Sequence, residues 1–199
     1  MLDIKARNRV GRIVQPLIRL LDRLHITPTG VTVVAMGLMV AGGILIGAGE
    51  VVAGVLIATA GGLLDIVDGA LARATDNVTA RGGLLDTSSD RIAEAAVWAG
   101  VAVHVSGDQQ AVALCVTGLA AAMLVPFMRA RAEAAGLSGK GGLMGRAERL
   151  ILLLAGIGFS GLDVDYGFDL PLATLWAFNV LTWATVLHRF YRTWSQLGE

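Results

Sequence analysis

A chain of 199 residues accommodates one domain. Its 55% hydrophobic content, mean hydropathy of +0.67 and 26 glycines exclude an ordinary soluble globule and point to a polytopic membrane protein. The formal net charge is zero and favours no particular partner, nucleic acid included, and the single cysteine, Cys115, excludes an intrachain disulfide.

The first stretch, residues 4–24, alternates basic and apolar positions at helical spacing. Val10, Ile13, Val14, Leu17, Ile18 and Leu21 form one stripe, flanked by Arg9, Arg12, Arg19 and Arg23. That pattern predicts an amphipathic helix lying on the inner leaflet, with Pro16 kinking or dividing it. No secretory signal precedes it, so the N-terminus is expected to be retained. The segment His25–Thr32 then ends one helix and starts another, with Thr29 as the expected cap. Spans are predicted at 30–48, 51–73, 83–105, 109–131, 147–162 and 171–193. The fold expected is therefore all-α. Six transmembrane helices follow the interfacial one in a single domain covering 1–199, with 1–25 juxtamembrane and 26–199 the bundle.

The charges test this topology. With an even number of spans both termini share a side, and on that side fall all 16 lysines and arginines. The opposite loops carry Glu50, Asp108, Asp163, Asp165 and Asp169 and no basic residue. The positive-inside rule then places both termini at the cytoplasmic face of the cell membrane.

Chemistry concentrates between Asp65 and Asp90. Asp65 and Asp68 are three apart, Asp86 and Asp90 four apart, and on a helix each pair shares a face. Two helices joined by the polar turn at 76–81 can aim all four acids at one small volume. Like charges held that close repel unless a cation lies between them, and oxygen-only ligands favour a hard ion, magnesium or manganese. Gly69 and Ala72 leave room for a bulky anion, and Arg73 offers a planar fork for phosphate. Carboxylates merely paired with arginines in a bundle are the bland alternative, but that leaves the four acids short of partners.

The stretch reads D-x2-D-G-x2-A-R-x8-G-x3-D-x3-D over 26 residues, with Gly82 as its second glycine. It resembles the signature of the CDP-alcohol phosphatidyltransferase family. The resemblance implies that an alcohol attacks the lipid-linked phosphorus of a CDP-activated lipid such as CDP-diacylglycerol, releasing CMP. It makes Asp65, Asp68 and Asp86 metal ligands for a pair of ions. Asp90 completes the second metal position and accepts the proton of the attacking hydroxyl. Gly69, Ala72, Arg73 and Thr79 would hold the cytidine diphosphate, and Pro28, Thr29, Gly30 and Val31 would touch the same substrate. A simple helix start explains that last turn equally well. Homodimerisation is implied as well.

Residues 126–150, PFMRARAEAAGLSGKGGLMGRAERL, resemble the branch that makes phosphatidylinositol phosphate, or its archaeal counterpart, from inositol phosphate. In that branch a lysine and two arginines hold the acceptor phosphate. The matching positions are Arg129, Arg149 and Arg189, with Arg146 nearby. Arg129 replaces the usual lysine and Pro126 the usual serine, so glycerol 3-phosphate stays open as another small phosphorylated alcohol. A divalent-cation transporter is the rival of a different class, because intramembrane carboxylates mark ion pathways. It is disfavoured, since the acids lie at helix ends beside Arg73. No role is expected for His25, His104 or His188.

Overall fold

A computed structural model describes residues 15, 16, 18–21, 23, 24, 26–139, 141–162 and 164–197. From Pro28 onward, six helices follow one another among the described residues: α1 (Pro28–Gly47), α2 (Val51–Ala74), α3 (Ala80–His104), α4 (Gln109–Ala134), α5 (Arg146–Ser160) and α6 (Leu170–Leu197). No strand occurs among the described residues.

Length and apolar content explain four of the six as membrane-crossing segments. α1, α2, α4 and α6 have mean hydropathies of 2.1, 1.9, 2.2 and 1.5 over their most apolar windows. The other two depart from the expected spans for separate reasons. α3 carries Arg81, Asp86, Asp90 and Arg91 in its first half and Glu94 just beyond it. α5 has 15 residues, about 22 Å at 1.5 Å per residue, short of the hydrocarbon thickness. Most of the expected amphipathic helix lies outside the described residues. Within them, 18–21 are helical, and Ile18 is buried with Val31 and Leu71.

The cap of α1 differs from expectation. Thr27, not Thr29, is the N-cap: its Oγ1 accepts from the Gly30 N–H at 3.2 Å. Pro28 fills the first helical position, where its fixed φ suits the helix and its missing donor is not needed. Thr29 is thereby carried into the first turn.

Backbone proximity sets the packing of the first three helices. Gly43 of α1 lies against Gly100 of α3, and Gly42 of α1 against Gly54 of α2. At each crossing an added Cβ would strike the facing main chain, so glycine is what allows the approach. The second half pairs α4 with α6, and α6 with α5. Asn179 of α6 donates from Nδ2 to the Leu114 carbonyl at 2.9 Å, and Thr117 Oγ1 contacts Asn179 Oδ1 at 2.9 Å. The halves meet where Trp98 of α3 packs edge-on against Phe178 of α6, ring centroids 4.8 Å apart.

Candidate active site

The site forms where α2 ends and α3 begins. A five-residue link, 75–79, reverses the chain, and Thr79 caps α3 by accepting from the Gly82 N–H at 3.0 Å. The turn brings together the acid faces that the spacing of three and four residues creates. Oxygens of Asp65, Asp68 and Asp86 all lie within 4.8 Å of one another. Asp68 is 3% exposed and takes a 2.6 Å hydrogen bond from Thr32 Oγ1 of α1. An all-oxygen trio of this spacing fits a hard divalent cation, and a ligating carboxylate with its own hydrogen-bond donor is a common supporting arrangement.

Asp90, one turn further along α3, faces Arg146, the first residue of α5. That guanidinium bridges two helices: Nη1 donates to Asp65 Oδ2, and Nη2 lies 2.7 Å from Asp90 Oδ1. Arg146, expected beside the acceptor arginines, thus reaches into the acids. Arg91 adds a longer contact to Asp90 Oδ2 at 3.9 Å.

A cavity of about 290 Å³ opens beside Asp68 and Asp86. Pro28, Thr29, Gly69, Ala72, Arg73 and Thr79 line it, whereas Gly30 and Val31 do not. Val31 is instead buried against Ile18 and Leu71. Arg73 folds back over Gly69: a Cβ there would sit 3.4 Å from its Nη1. The absence of bulk at Gly69 therefore gives the guanidinium its place in the wall. Thr32, Asn77, Val78, Gly82, Gly83 and Leu85 complete the lining.

The remaining arginines come from three helices. Arg149 of α5 is 2% exposed, with Nη2 3.6 Å from Glu94 Oε1. Arg189 of α6 donates from Nε to the Gly141 carbonyl at 2.9 Å and from Nη1 to the Val125 carbonyl at 2.7 Å. Arg129 of α4 is exposed and pairs with Glu133 at 2.8 Å. Arg149 and Arg129 are close enough for their charges to act on Arg189. Gly142, at φ +107, gives the 141–145 connection a backbone shape that L side chains rarely adopt as it crosses Thr185. Met144 N–H donates to Thr185 Oγ1 at 3.1 Å, holding that connection against α6.

Two residues of this region carry no expectation from sequence, Thr32 and Glu94. Each stands four residues from one already singled out, Pro28 and Asp90, and so shares its helix face, but that interval does not announce the partner it bonds. His188 is exposed beside Gly141, and His104 ends α3 away from the acids.

A family model described as CDP-alcohol phosphatidyltransferase matches residues 25–191. A phosphatidylinositol phosphate synthase of Mycobacterium marinum is 34% identical over 198 residues, covering 97% of this chain and 84% of the relative. Its Corynebacterium glutamicum counterpart is 32% identical over 187 residues, covering 92% and 85%. Among solved structures, the Mycobacterium tuberculosis phosphatidylinositol phosphate synthase with CDP-DAG bound superposes with a TM-score of 0.84 at 33% identity, covering 92% of this chain and 94% of that one. The same enzyme in complex with manganese and citrate gives a TM-score of 0.83 at 33% identity, covering 90% and 88%.

Proposed function

The chain belongs to the CDP-alcohol phosphatidyltransferase family, and from that premise we propose that it transfers a phosphatidyl group from CDP-diacylglycerol to inositol phosphate. The products are phosphatidylinositol phosphate and CMP. The observation that carries the reading is the trio Asp65, Asp68 and Asp86, two of which, Asp68 and Asp86, line a cavity walled by Gly69, Ala72 and Arg73. Relatives named for phosphatidylinositol phosphate favour inositol phosphate over glycerol 3-phosphate as acceptor. Membership of a transferase family removes the motive for a cation transporter.

Each residue then has a task. Asp65, Asp68 and Asp86 would hold divalent metal, magnesium or manganese, as a pair of ions that Asp90 helps to complete. When bound, the metal supplies charge neutralisation at the phosphate oxygens and the leaving group. Thr32 fixes the orientation of Asp68. Arg73 and the helix start at Pro28 and Thr29 take the cytidine diphosphate, with Thr79 at the rim, while Gly30 and Val31 act only through the shape of that turn. Asp90 accepts the proton of the attacking hydroxyl, and Arg146, bound to Asp90 and Asp65, sets its orientation. Arg149 and Arg189, with Arg129 at the edge, take the acceptor's phosphate, and the carbonyl contacts of Arg189 pre-orient its guanidinium.

The lipid tails stay in the bilayer while the headgroup meets the acids. All six helices serve as spans of one domain, the 15-residue α5 by local thinning of the bilayer, with both termini and the site cytoplasmic and the amphipathic segment on the inner leaflet. The crowding of α3's charges into its first half supports that orientation. The working unit is a homodimer, as the family resemblance implies.

The test supplies the purified protein, CDP-diacylglycerol and magnesium with inositol phosphate, glycerol 3-phosphate, inositol or serine in parallel. CMP release with inositol phosphate alone is the expected result. Release with glycerol 3-phosphate alone would overturn the acceptor assignment, and no release with any alcohol would overturn the transferase reading.

A further inference from the structure

Glu94 lies one turn beyond Asp90 on α3, is 7% exposed, and stands outside the D-G-A-R signature. Its Oε2 accepts from Arg91 Nη1 at 2.9 Å, and its Oε1 lies 3.6 Å from Arg149 Nη2. Arg149 needs such a neighbour. It is 2% exposed, and its Nε and Nη1 have no hydrogen-bond partner among the described residues. A guanidinium stripped of water is expensive unless an anion faces it. Among the described residues Glu94 is the one carboxylate in ion-pair range of Arg149.

The placement has two consequences. Arg91 is faced by Asp90 as well as Glu94, and Arg146 by Asp65 and Asp90. The excess positive charge therefore lies on the side of Arg149 and Arg189, where the hydrogen bonds of Arg189 among the described residues go to carbonyls. Surroundings with that excess suit a dianion better than a neutral alcohol. In addition, four residues of helix separate Asp90 from Glu94, a rise of about 6 Å. The same helix that presents the candidate base therefore also anchors a candidate phosphate ligand.

We propose that Glu94 is a positioning residue for the phosphorylated acceptor. It holds Arg149 by Nη2, leaving the donors on Nε and Nη1 for the acceptor's phosphate, and it fixes that phosphate one helical turn from Asp90. The acceptor's hydroxyl is thereby delivered to Asp90 while its phosphate is clasped at Arg149. The inference rests on the reading of Arg149 as an acceptor ligand.

The experiment compares Glu94→Gln, Glu94→Asp and Arg149→Lys with the wild type in detergent. It measures KM for inositol phosphate, KM for CDP-diacylglycerol, inhibition by inorganic phosphate against the acceptor, and the melting temperature. Glu94→Gln should raise acceptor KM about tenfold, the scale on which a metal site responds when a ligand loses its outer partner. Phosphate inhibition should weaken in parallel while KM for the CDP-lipid stays put. Glu94→Asp, which keeps the charge at shorter reach, should recover part of the loss. Should the glutamine variant fail to fold, Glu94→Asp decides alone: a raised acceptor KM at unchanged lipid KM supports the proposal. Unchanged acceptor kinetics in a folded Glu94 variant, or equal shifts of both KM values, would overturn it. Arg149→Lys separates the two layers of the argument. If it raises acceptor KM and the Glu94 variants do not, the Glu94 role alone fails. If it too leaves acceptor kinetics untouched, the acceptor reading of Arg149 fails and takes the Glu94 role with it.

Discussion

The half of the molecule built from α1, α2 and α3 and the half built from α4, α5 and α6 assemble their polar groups by different means. In the first, the acids come in pairs three and four residues apart on two consecutive helices, joined by a five-residue link. Glycines at Gly42, Gly43, Gly54 and Gly100 draw the helices together. In the second, Arg129, Arg149 and Arg189 each come from a different helix. Arg189 finds its carbonyl partners 48 and 64 residues away in sequence. Local spacing builds the half proposed to bind metal, and long-range contact builds the half proposed to bind the acceptor. Damage to the first should stop the chemistry, whereas damage to the second should weaken one substrate.

The sharpest break of this contrast is at Asp90. Asp90→Asn should lower kcat roughly 10²–10⁴-fold, the range for loss of a positioned base, with nucleotide binding largely kept. Near-normal turnover would remove Asp90 from that role. Thr32→Val tests the support of the first half. Loss of the 2.6 Å bond to Asp68 should weaken divalent-metal affinity by about tenfold, the effect of removing an outer partner of a ligand. Titration of Mn²⁺ followed by electron paramagnetic resonance reads this out, and unchanged affinity would detach Thr32 from the site. In the acceptor half, Arg189→Ala should raise KM for inositol phosphate several-fold, roughly the consequence of about 1–2 kcal/mol from lost charge-assisted bonds. KM for the CDP-lipid should not move, and a matching change in it would dissolve the division between halves. The smallest effect is on packing. Gly100→Ala drives a methyl into the Gly43 main chain and should destabilise by about 1–3 kcal/mol. Thermal unfolding in detergent should show a lowered midpoint, and an unshifted one would mean that the crossing is not tight.

The same contrast explains what could be read from the chain beforehand. Helix positions, the acid trio and Arg73 follow from apolar periodicity and from intervals of three and four, whereas Pro28, Thr29 and Thr79 of the cavity wall come from the family resemblance. The bond from Thr32 to Asp68 spans 36 residues and the Arg146 pair with Asp65 spans 81, and no local pattern announces either. Arg146 and Arg149 sit three apart on α5, yet they serve different neighbours, Asp65 with Asp90 in one case and Glu94 in the other. Adjacency in sequence had grouped them. At the start of α1, a Pro-Thr-Gly sequence invites a cap at Thr29. Proline's preference for the first helical position moves the cap back to Thr27. In α3 the charged first half hides a helix of 25 residues from a hydropathy criterion, although its spacing is plainly helical.

The central claim is that α2 and α3 close their carboxylates around divalent metal beside the CDP-lipid cavity. Anomalous diffraction from crystals of the protein grown with Mn²⁺ tests it most directly. The account predicts a peak within bonding distance of Asp65, Asp68 and Asp86, on the side facing Gly69 and Arg73. Ordered crystals with those three carboxylates free of manganese, or with the ion held elsewhere, would contradict it.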